Sequence, residues 1–126
     1  MILSIGIDIV EVDRVERAIG RLGERFVRRV FTDPEIDYCG SRGARFVHLA
    51  GRFAAKEAAM KALGTGWGAG VSWREVEILP SAAGPPHLAL SGVALERFAA
   101  LGATRSHLSI THTREHAVAQ VIFERL

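Results

Sequence analysis

The sequence contains a single cysteine and no long apolar run. Because Cys39 is the only cysteine in 126 residues, the chain cannot form an internal disulfide. No apolar stretch approaches the roughly 20 residues that a membrane-spanning helix requires. The apolar start, residues 1–10, has no basic leader and is interrupted by Asp8. We therefore expect a cytoplasmic protein that does not insert into a membrane.

The sequence also lacks the patterns of zinc enzymes and of nucleophilic hydrolases. Its five histidines, at positions 48, 87, 107, 112 and 116, do not show the paired spacing with cysteine or acid that a zinc site needs. There is no Gly-x-Ser-x-Gly elbow, and the sequence places no evident activating partner beside Cys39. The sequence therefore does not support a zinc enzyme or a hydrolase with a serine or cysteine nucleophile.

Length and composition indicate one globular domain with an anionic partner. A hydrophobic fraction of 48% and a charged fraction of 24% are ordinary for globular chains, and 126 residues suit a single domain. The formal net charge is only +2, but the arginines are unevenly placed, which favours binding to an anion. The charge leaves nucleic acid, a phosphate-bearing cofactor and an acidic protein as open alternatives.

Hydrophobic periodicity predicts a mixed α+β order. Strands are predicted over residues 2–10, 73–79, 87–90, 107–111 and 117–123. Helices are predicted over residues 12–30, with Gly20 and Gly23 as break points, and over 49–63, closed by Gly64, and 93–101. A further short helix is expected after Thr32, because a Glu follows three residues later as in a capping box.

Asp8 interrupts the apolar pattern of the first strand. Ile5, Ile7 and Ile9 alternate with smaller residues, so Asp8 lies on the opposite face of the strand from them. An ionised carboxylate in such a strand needs a cation or hydrogen-bond donors beside it. A metal ion would serve, and so would an arginine in a structural ion pair or the end of a nearby helix, so the sequence leaves both interpretations open.

The helix predicted over residues 49–63 carries ionic side chains among alanines. Glu57 and Lys61 are four residues apart and share a face. An exposed ion pair is the commoner meaning of this spacing, but small alanines also let a backbone or a ligand approach closely. The following loop, residues 64–68, has the glycines of a phosphate cradle, yet it follows a helix instead of opening one, which favours a simple helix end.

Five arginines spaced by 3, 4, 4 and 3 residues lie on the helix predicted over residues 12–30. On a continuous helix they fall within an arc of roughly 80°. We call them the arginine stripe, and its members are Arg14, Arg17, Arg21, Arg25 and Arg28. A solvated face and a docking surface for an acidic or phosphate-bearing partner both remain open. A helix break would divide the stripe into two patches.

Three segments carry the most specific patterns in the sequence. They are GIDIVEVDR at residues 6–14, GRFAAKEAAMKALGTG at 51–66 and LSITHTREHAVAQV at 108–121. Together they resemble the holo-acyl-carrier-protein synthase family of 4′-phosphopantetheinyl transferases. The resemblance implies an α+β fold, mainly an antiparallel sheet packed against a long central helix, as a single domain over residues 1–126. The implied activity is transfer of 4′-phosphopantetheine from coenzyme A to a serine of apo-acyl-carrier protein for fatty acid biosynthesis.

The resemblance implies a magnesium site and three catalytic residues. Asp8 and Glu57 would hold one Mg²⁺ together with pyrophosphate oxygens of coenzyme A and waters, a ligand set that suits this ion. Glu57, directly or through a metal-bound water, would take the proton of the attacking serine. Lys61 would steady or protonate the leaving phosphate.

The same resemblance implies binding sites for coenzyme A and for the carrier. The implied contacts for coenzyme A are Arg52, Lys61, Gly64, Thr65, Gly66, Pro86, His112 and Thr113, and Arg42 and Arg45 are further candidates for its 3′-phosphate. The arginine stripe would dock the acidic helix of the acyl carrier protein, with contacts from Arg14, Arg21, Arg25 and Phe26. The family also implies a compact homotrimer with active sites between subunits.

Two alternatives compete with this interpretation. A basic nucleic-acid-binding module without catalysis explains the arginines, but it does not explain Asp8 in an apolar strand. The chain also lacks the interleaved aromatic residues of a single-strand binder. A larger, two-lobed transferase for peptide-synthetase carriers would need a much longer chain. We therefore expect neither a nucleic acid nor a membrane among the partners.

Overall fold

The computed structural model describes residues 1–40, 44–66 and 69–126 and has the mixed α+β order that the sequence predicts. The strands are β1 (Ile2–Glu11), β2 (Val76–Leu79), β3 (His87–Leu90), β4 (Arg105–His112) and β5 (His116–Glu124). The helices are α1 (Val12–Leu22), α2 (Glu24–Val30), α3 (Asp33–Gly40), α4 (Arg45–Leu63) and α5 (Gly92–Ala100). None of these helices, within the described ranges, is long and apolar enough to cross a membrane.

An antiparallel sheet in the order β1-β5-β4 forms one layer, and α4 packs across it. The central strand β5 buries Ala117, Ala119, Val121 and Phe123, which alternate along it and face the helix. Strands β2 and β3 pair separately as a hairpin. The predicted architecture, an antiparallel sheet against a long central helix, is confirmed.

Strand β1 crosses α4 at Gly6 with backbone against backbone. A β-carbon placed on Gly6 would overlap the carbonyl oxygen of Ala58 and lie 2.8 Å from the amide nitrogen of Ala62. Both helix residues are alanines, so no long side chain separates the two elements. This close approach requires glycine in the strand and small residues on the helix, and it sets the distance between Asp8 and α4.

The alternation along β1 is confirmed, but the buried face is the one that carries Asp8. Gly6 and Val10 are buried against the helix, whereas Ile5, Ile7 and Ile9 are 56%, 57% and 62% exposed. A period of two identifies the residues that share a face, but it does not say which face is covered. The isoleucine face of β1 is therefore an exposed apolar surface of this chain.

Several element boundaries differ from the predicted ones for local reasons. Helix α4 begins at Arg45 instead of Leu49, and its N-cap, Ala44, makes no side-chain hydrogen bond that could have marked the start. The strand predicted from Trp73 begins at residue 76, because a capping box between Ser72 and Glu75 holds a 3₁₀ turn there. The predicted end of α4 at residue 64 is confirmed by a left-handed glycine with φ 77°.

The helix predicted over residues 12–30 is divided at Gly23 and continuous through Gly20. Gly23 has φ 70°, a conformation that favours glycine, and its N–H donates to the carbonyl oxygen of Ile19. The arginine stripe is consequently split, with Arg14, Arg17 and Arg21 on α1 and Arg25 and Arg28 on α2. All five of these side chains are exposed.

Glu35 caps α3 and also reaches β2. Its Oε1 accepts a hydrogen bond from the N–H of Thr32 at 2.7 Å, and its own N–H lies 3.4 Å from the Thr32 hydroxyl, so the predicted capping box is confirmed. Its Oε2 accepts from the N–H of Ile78 at 2.8 Å. The side chain therefore joins a local cap to a strand 43 residues away.

Lys56 completes a fully buried ion pair with Glu35. Its Nζ lies 2.9 Å from Glu35 Oε1 and donates to the carbonyls of Trp73 at 3.0 Å and Val76 at 2.6 Å. Burial lowers the pKa of Lys56, and the charge of Glu35 opposes that shift. Both charges have good partners, as buried ion pairs need. The pair fixes α3 and the start of β2 against α4.

Replacing Gly6 by alanine should destabilise the protein, because the new methyl group would collide with the α4 backbone. We expect Gly6→Ala to lower the free energy of unfolding by about 1–3 kcal/mol, the usual range for overpacking. Urea denaturation measures the change. The matched control is Gly20→Ala on α1, where a β-carbon meets no atom within 4 Å. If Gly6→Ala lowered the free energy of unfolding no more than Gly20→Ala does, the close approach of β1 to α4 would be contradicted.

Candidate active site

The crossing of β1 and α4 brings Asp8, Glu57 and Lys61 together. They line a cavity of about 260 Å³, which we call the carboxylate cavity and whose lining residues are Asp8, Arg14, Glu57, Met60, Lys61 and Gly66. Glu57 and Lys61 lie one helical turn apart on the side of α4 next to β1. All three implied catalytic residues are therefore at one place.

Asp8 lies between the Lys61 ammonium and the Glu57 carboxyl group. Its side chain is 10% exposed, and Oδ1 accepts a hydrogen bond from Lys61 Nζ at 2.8 Å. Lys61 Nζ also donates to the carbonyl of Ile7 at 3.1 Å. Asp8 Oδ2 is buried and has no hydrogen-bond partner among the described residues. Asp8 therefore forms a structural ion pair, with Lys61 instead of the arginine considered from the sequence, and this pair uses only one of its two oxygens.

Glu57 has an unusual pKa because of its place beside Asp8. Burial and, after it, the neighbouring Asp8 carboxylate raise the pKa of Glu57 to about 7, against the opposing charges of Arg14 and Lys61. Two carboxylates near one another in a partly buried place resist simultaneous ionisation. The carboxylate cavity therefore holds two carboxyl groups that resist ionising together, beside the cations Arg14 and Lys61.

This donor set fits a hard divalent cation with few protein ligands. In the described parts of the chain, no group of three or more His, Cys, Asp or Glu side chains is placed to hold a metal. A metal bound by side chains alone is therefore not supported. Mg²⁺ commonly takes one or two carboxylates and completes its shell with waters and substrate phosphates, so Asp8 and Glu57 are sufficient for it.

A second cavity, of about 190 Å³, collects residues from α3, α4, β4 and the turn between β2 and β3. We call it the arginine cavity, and it is lined by Tyr38, His48, Arg52, Pro80, Ser81, Gly84, Pro86, Ile110 and His112. Three of the implied coenzyme A contacts, which are distant in the chain, lie together in this cavity: Arg52, Pro86 and His112. Among the described residues, none that lines this cavity is acidic.

Arg52 is the most buried cation of the arginine cavity. Its guanidinium carbon lies 4.4 Å from the centroid of the Tyr38 ring, and the residue is only 6% exposed. Its Nε is buried and has no hydrogen-bond partner in the described parts of the chain. A buried guanidinium with an open donor is suited to bind an anion.

The two cavities lie on opposite sides of α4. Arg52 and Lys61 are nine residues apart, which corresponds to about half a turn around a helix at 100° per residue. The sheet covers the side between them, with Ala58 and Ala62 against β1 and Gly51 against Ile110 of β4. One chain therefore presents the carboxylate cavity and the arginine cavity in different directions.

Some implied site residues lie elsewhere or have structural roles. Thr113 is not in the arginine cavity, and its hydroxyl accepts from the N–H groups of Glu115 and His116 at 3.3 and 3.1 Å in the β4–β5 turn. Gly64 and Thr65 close α4, where the Thr65 N–H donates to the carbonyl of Met60 at 3.1 Å, so the simple helix end is confirmed for them. Gly66 reaches the carboxylate cavity.

The candidates around the 3′-phosphate are only partly described. Arg42, together with residues 67 and 68 of the glycine loop, lies outside the described residues. Arg45 is half-buried and lies 3.9 Å from Glu24 at the start of α2. Its position therefore supports contact with α2 and does not place it in either cavity.

The arginine stripe begins at the carboxylate cavity. Arg14 lines that cavity, and its guanidinium carbon lies 5.6 Å from the centroid of the Phe53 ring. Arg17 pairs with Asp13 at 3.0 Å on the exposed surface, whereas Phe26 is half-buried at the start of α2. A partner that docks on the stripe would therefore reach the carboxylates.

Sequence reasoning missed two side chains, Lys56 and His48. Lys56 is the centre of a buried ion pair, and its partner is 21 residues away, so local spacing gave no signal. His48 lines the arginine cavity four residues before Arg52, and that helical spacing was the available signal.

Comparison with known proteins finds similar chains over nearly the full length. Residues 4–121 match the model described as the 4′-phosphopantetheinyl transferase superfamily. The holo-[acyl-carrier-protein] synthase of Koribacter versatilis is 48% identical over 124 residues, which cover 98% of this chain and 99% of that protein.

Two solved structures have the same fold. The holo-[acyl-carrier-protein] synthase of Neisseria meningitidis has a TM-score of 0.88 and 36% identity, covering 99% of this chain and 100% of that one. The Bacillus anthracis enzyme, in complex with CoA (3′,5′-ADP), has a TM-score of 0.80 and 40% identity, covering 100% and 99%. These similarities extend over the strands and helices that form both cavities.

The charges around Glu57 should shift its pKa in opposite directions in two variants. We expect Asp8→Asn to lower the pKa of Glu57, because a neighbouring negative charge is removed, while burial keeps it above the ordinary value. We expect Lys61→Met to raise it, because an opposing positive charge is lost. A ¹³C NMR titration of the Glu57 carboxyl without divalent cations measures both. Equal pKa values in the three proteins would contradict this electrostatic account.

Proposed function

Because the chain belongs to the 4′-phosphopantetheinyl transferase superfamily, we propose that it transfers 4′-phosphopantetheine from coenzyme A to a serine of apo-acyl-carrier protein. The products are holo-acyl-carrier protein and adenosine 3′,5′-bisphosphate, and the reaction serves fatty acid biosynthesis. Residues 1–126 form one transferase domain in this proposal. The observation that carries it is the convergence of Asp8, Glu57 and Lys61 on one cavity. The cytoplasmic location stays a prediction.

Asp8 and Glu57 would hold a Mg²⁺ ion. Oδ2 of Asp8 has no cation beside it among the described residues, and Glu57 offers a second carboxyl group in the same cavity. When bound, the ion supplies charge neutralisation at the pyrophosphate of the donor. Lys61, which pairs with Asp8, is half-exposed and long enough to turn from Asp8 toward a phosphate oxygen.

The side chains of the carboxylate cavity suit phosphoryl transfer to a hydroxyl. The serine oxygen forms a bond to the β-phosphorus of coenzyme A while the bond from that phosphorus to the bridging oxygen breaks. Glu57, directly or through a water, takes the serine proton. The Lys61 ammonium donates a hydrogen bond to the leaving phosphate.

The arginine cavity is the proposed site for the adenosine and phosphate end of coenzyme A. Arg52, Pro86 and His112 lie there together, and the cavity has cationic side chains without acidic ones. The carboxylate cavity, with Gly66 at its edge, would receive the pyrophosphate. The two ends of one donor molecule would thus use different cavities.

A homotrimer is part of the proposal, and two features of the chain support it. Ile5, Ile7 and Ile9 form an exposed apolar face that another subunit would cover. The carboxylate and arginine cavities point away from one another on a single chain, so one donor molecule would contact the cavities of neighbouring subunits. Both features are expected of an active site formed between subunits.

The proposed docking site for the carrier protein is the exposed part of the arginine stripe. Arg14, Arg21, Arg25 and Phe26 are its proposed contacts. Arg14 extends the stripe to the carboxylate cavity, so an acidic helix bound along α1 and α2 would bring its serine near Glu57. Arginines are well suited to pair with carboxylates on a partner surface.

A transfer assay tests the proposed function. We expect the protein to modify apo-acyl-carrier protein with coenzyme A and Mg²⁺, as seen by mass spectrometry, and a chelator should stop the reaction. Glu57→Gln should lower the rate at least about 100-fold, because general bases contribute that much. The matched control is Glu96→Gln on the exposed surface of α5, which should keep the wild-type rate. No modification by the wild type, together with RNA retained on purification, would favour the nucleic-acid-binding alternative.

Carrier docking should depend on charge more than donor binding does. We expect Arg21→Glu to raise KM for the carrier about fivefold or more with little change in KM for coenzyme A, and higher salt to raise the wild-type KM for the carrier. Steady-state kinetics at several salt concentrations measure both. Arg105→Glu on β4 makes the same charge change outside the stripe and should leave KM for the carrier unchanged. A salt-independent KM would count against the docking site.

A further inference from the structure

His48 places a second imidazole in the arginine cavity. It lies on α4 one turn before Arg52, whereas His112 comes from the end of β4 on the other side of the cavity. The two rings meet edge to face, with centroids 5.7 Å apart, and the Tyr38 ring packs against His48 at 6.2 Å. The His48 ring is thus held in place by aromatic neighbours.

The cavity around His48 has the chemistry of a site for a metal-free anion. Arg52 supplies a permanent positive charge with an unpartnered buried Nε, and the two imidazoles supply N–H donors that become stronger on protonation. Acidic side chains are missing from the residues that line the cavity, so no carboxylate competes for these donors. A phosphate group could bind there without a metal ion.

Coenzyme A has two anionic groups with different requirements, and this step rests on the proposed function. Its pyrophosphate suits the carboxylate cavity, where a divalent cation is needed to overcome repulsion by Asp8 and Glu57. Its 3′-phosphate is a monoester that carries close to two negative charges at neutral pH and needs several donors. The arginine cavity supplies such donors.

We propose that His48 is a specificity residue that, together with Arg52 and His112, binds the 3′-phosphate of the donor and selects coenzyme A over 3′-dephospho-coenzyme A. The side chain acts by donating a hydrogen bond from its imidazole to a phosphate oxygen. A purely packing role for the ring against Tyr38 is the opposing interpretation. The two interpretations differ in whether the loss caused by a substitution depends on the 3′-phosphate.

Transfer kinetics with two donors separate these interpretations. The wild type, His48→Phe and His48→Gln are compared with coenzyme A and with 3′-dephospho-coenzyme A. We expect His48→Phe, which keeps a ring but has no donor, to lower kcat/KM for coenzyme A about 10-fold or more, mainly through KM, since a hydrogen bond to a charged group is lost. Transfer from 3′-dephospho-coenzyme A should stay within about twofold of wild type. His48→Gln can still donate a hydrogen bond, so its kcat/KM for coenzyme A should lie between the values for the wild type and His48→Phe.

The control is His107→Phe on β4, whose imidazole pairs with Glu124 at 2.7 Å outside the arginine cavity. It should leave both donors unaffected. Equal losses with the two donors in His48→Phe would indicate packing and overturn the proposal, as would no loss with coenzyme A.

A binding experiment keeps the test independent of the proposed function. Calorimetry compares adenosine 3′,5′-bisphosphate with adenosine 5′-monophosphate, which lacks the 3′-phosphate. We expect His48→Phe to weaken binding of the bisphosphate and to leave the monophosphate unchanged. A wild type that binds the bisphosphate in this His48-dependent way but transfers nothing would refute the proposed transfer and support the site. Binding that ignores His48 would refute the site, whatever the transfer assay shows.

Discussion

The backbone contact between Gly6 and α4 is the constraint on which the carboxylate cavity depends. A strand that carried any side chain at this position would stand farther from the helix, because a β-carbon would overlap the carbonyl of Ala58. Asp8 lies two residues farther along the same face of β1, and Glu57 and Lys61 border the alanines on α4. The Gly-x-Asp pattern of β1 and the alanines of α4 are therefore both needed to bring Asp8 close to Glu57 and Lys61.

The distribution of charge around α4 matches a donor with two kinds of phosphate. One side of the helix has two carboxyl groups beside Lys61 and Arg14, and the other has Arg52, whose buried Nε has no partner in the described parts of the chain. A divalent cation suits the first side, and a bare phosphate suits the second. The sheet covers the side between them, so the two groups lie on opposite sides of the helix. In the proposed trimer, the exposed isoleucines of β1 would supply the apolar surface that a neighbouring chain covers.

Patterns within a few residues were enough to predict the helices and strands. The features that these patterns did not predict depend on contacts between distant parts of the chain. The capping box at Thr32 and the left-handed glycine at the end of α4 depend on residues within one turn, so the sequence was sufficient for them. The burial of Asp8 and the exposure of Ile7 on the same strand depend on what covers each face, which alternation does not contain. The contact of His48 with His112 joins residues far apart in the chain, so spacing could not indicate it.

Lys56 and Glu57 show how neighbouring residues on one helix come to have different roles. Lys56 is completely buried, yet Glu35 and two backbone carbonyls compensate its charge, so it holds the fold and has little left to offer a ligand. Glu57 is only half-buried, but it lies beside the carboxylate of Asp8. Burial and this neighbour raise the pKa of Glu57 to about 7. Burial is the largest cause of the pKa shift at both residues, so burial alone does not separate their roles. They differ in their neighbours, because Lys56 is paired with a carboxylate and two carbonyls, whereas Glu57 lies beside another carboxylate in a cavity.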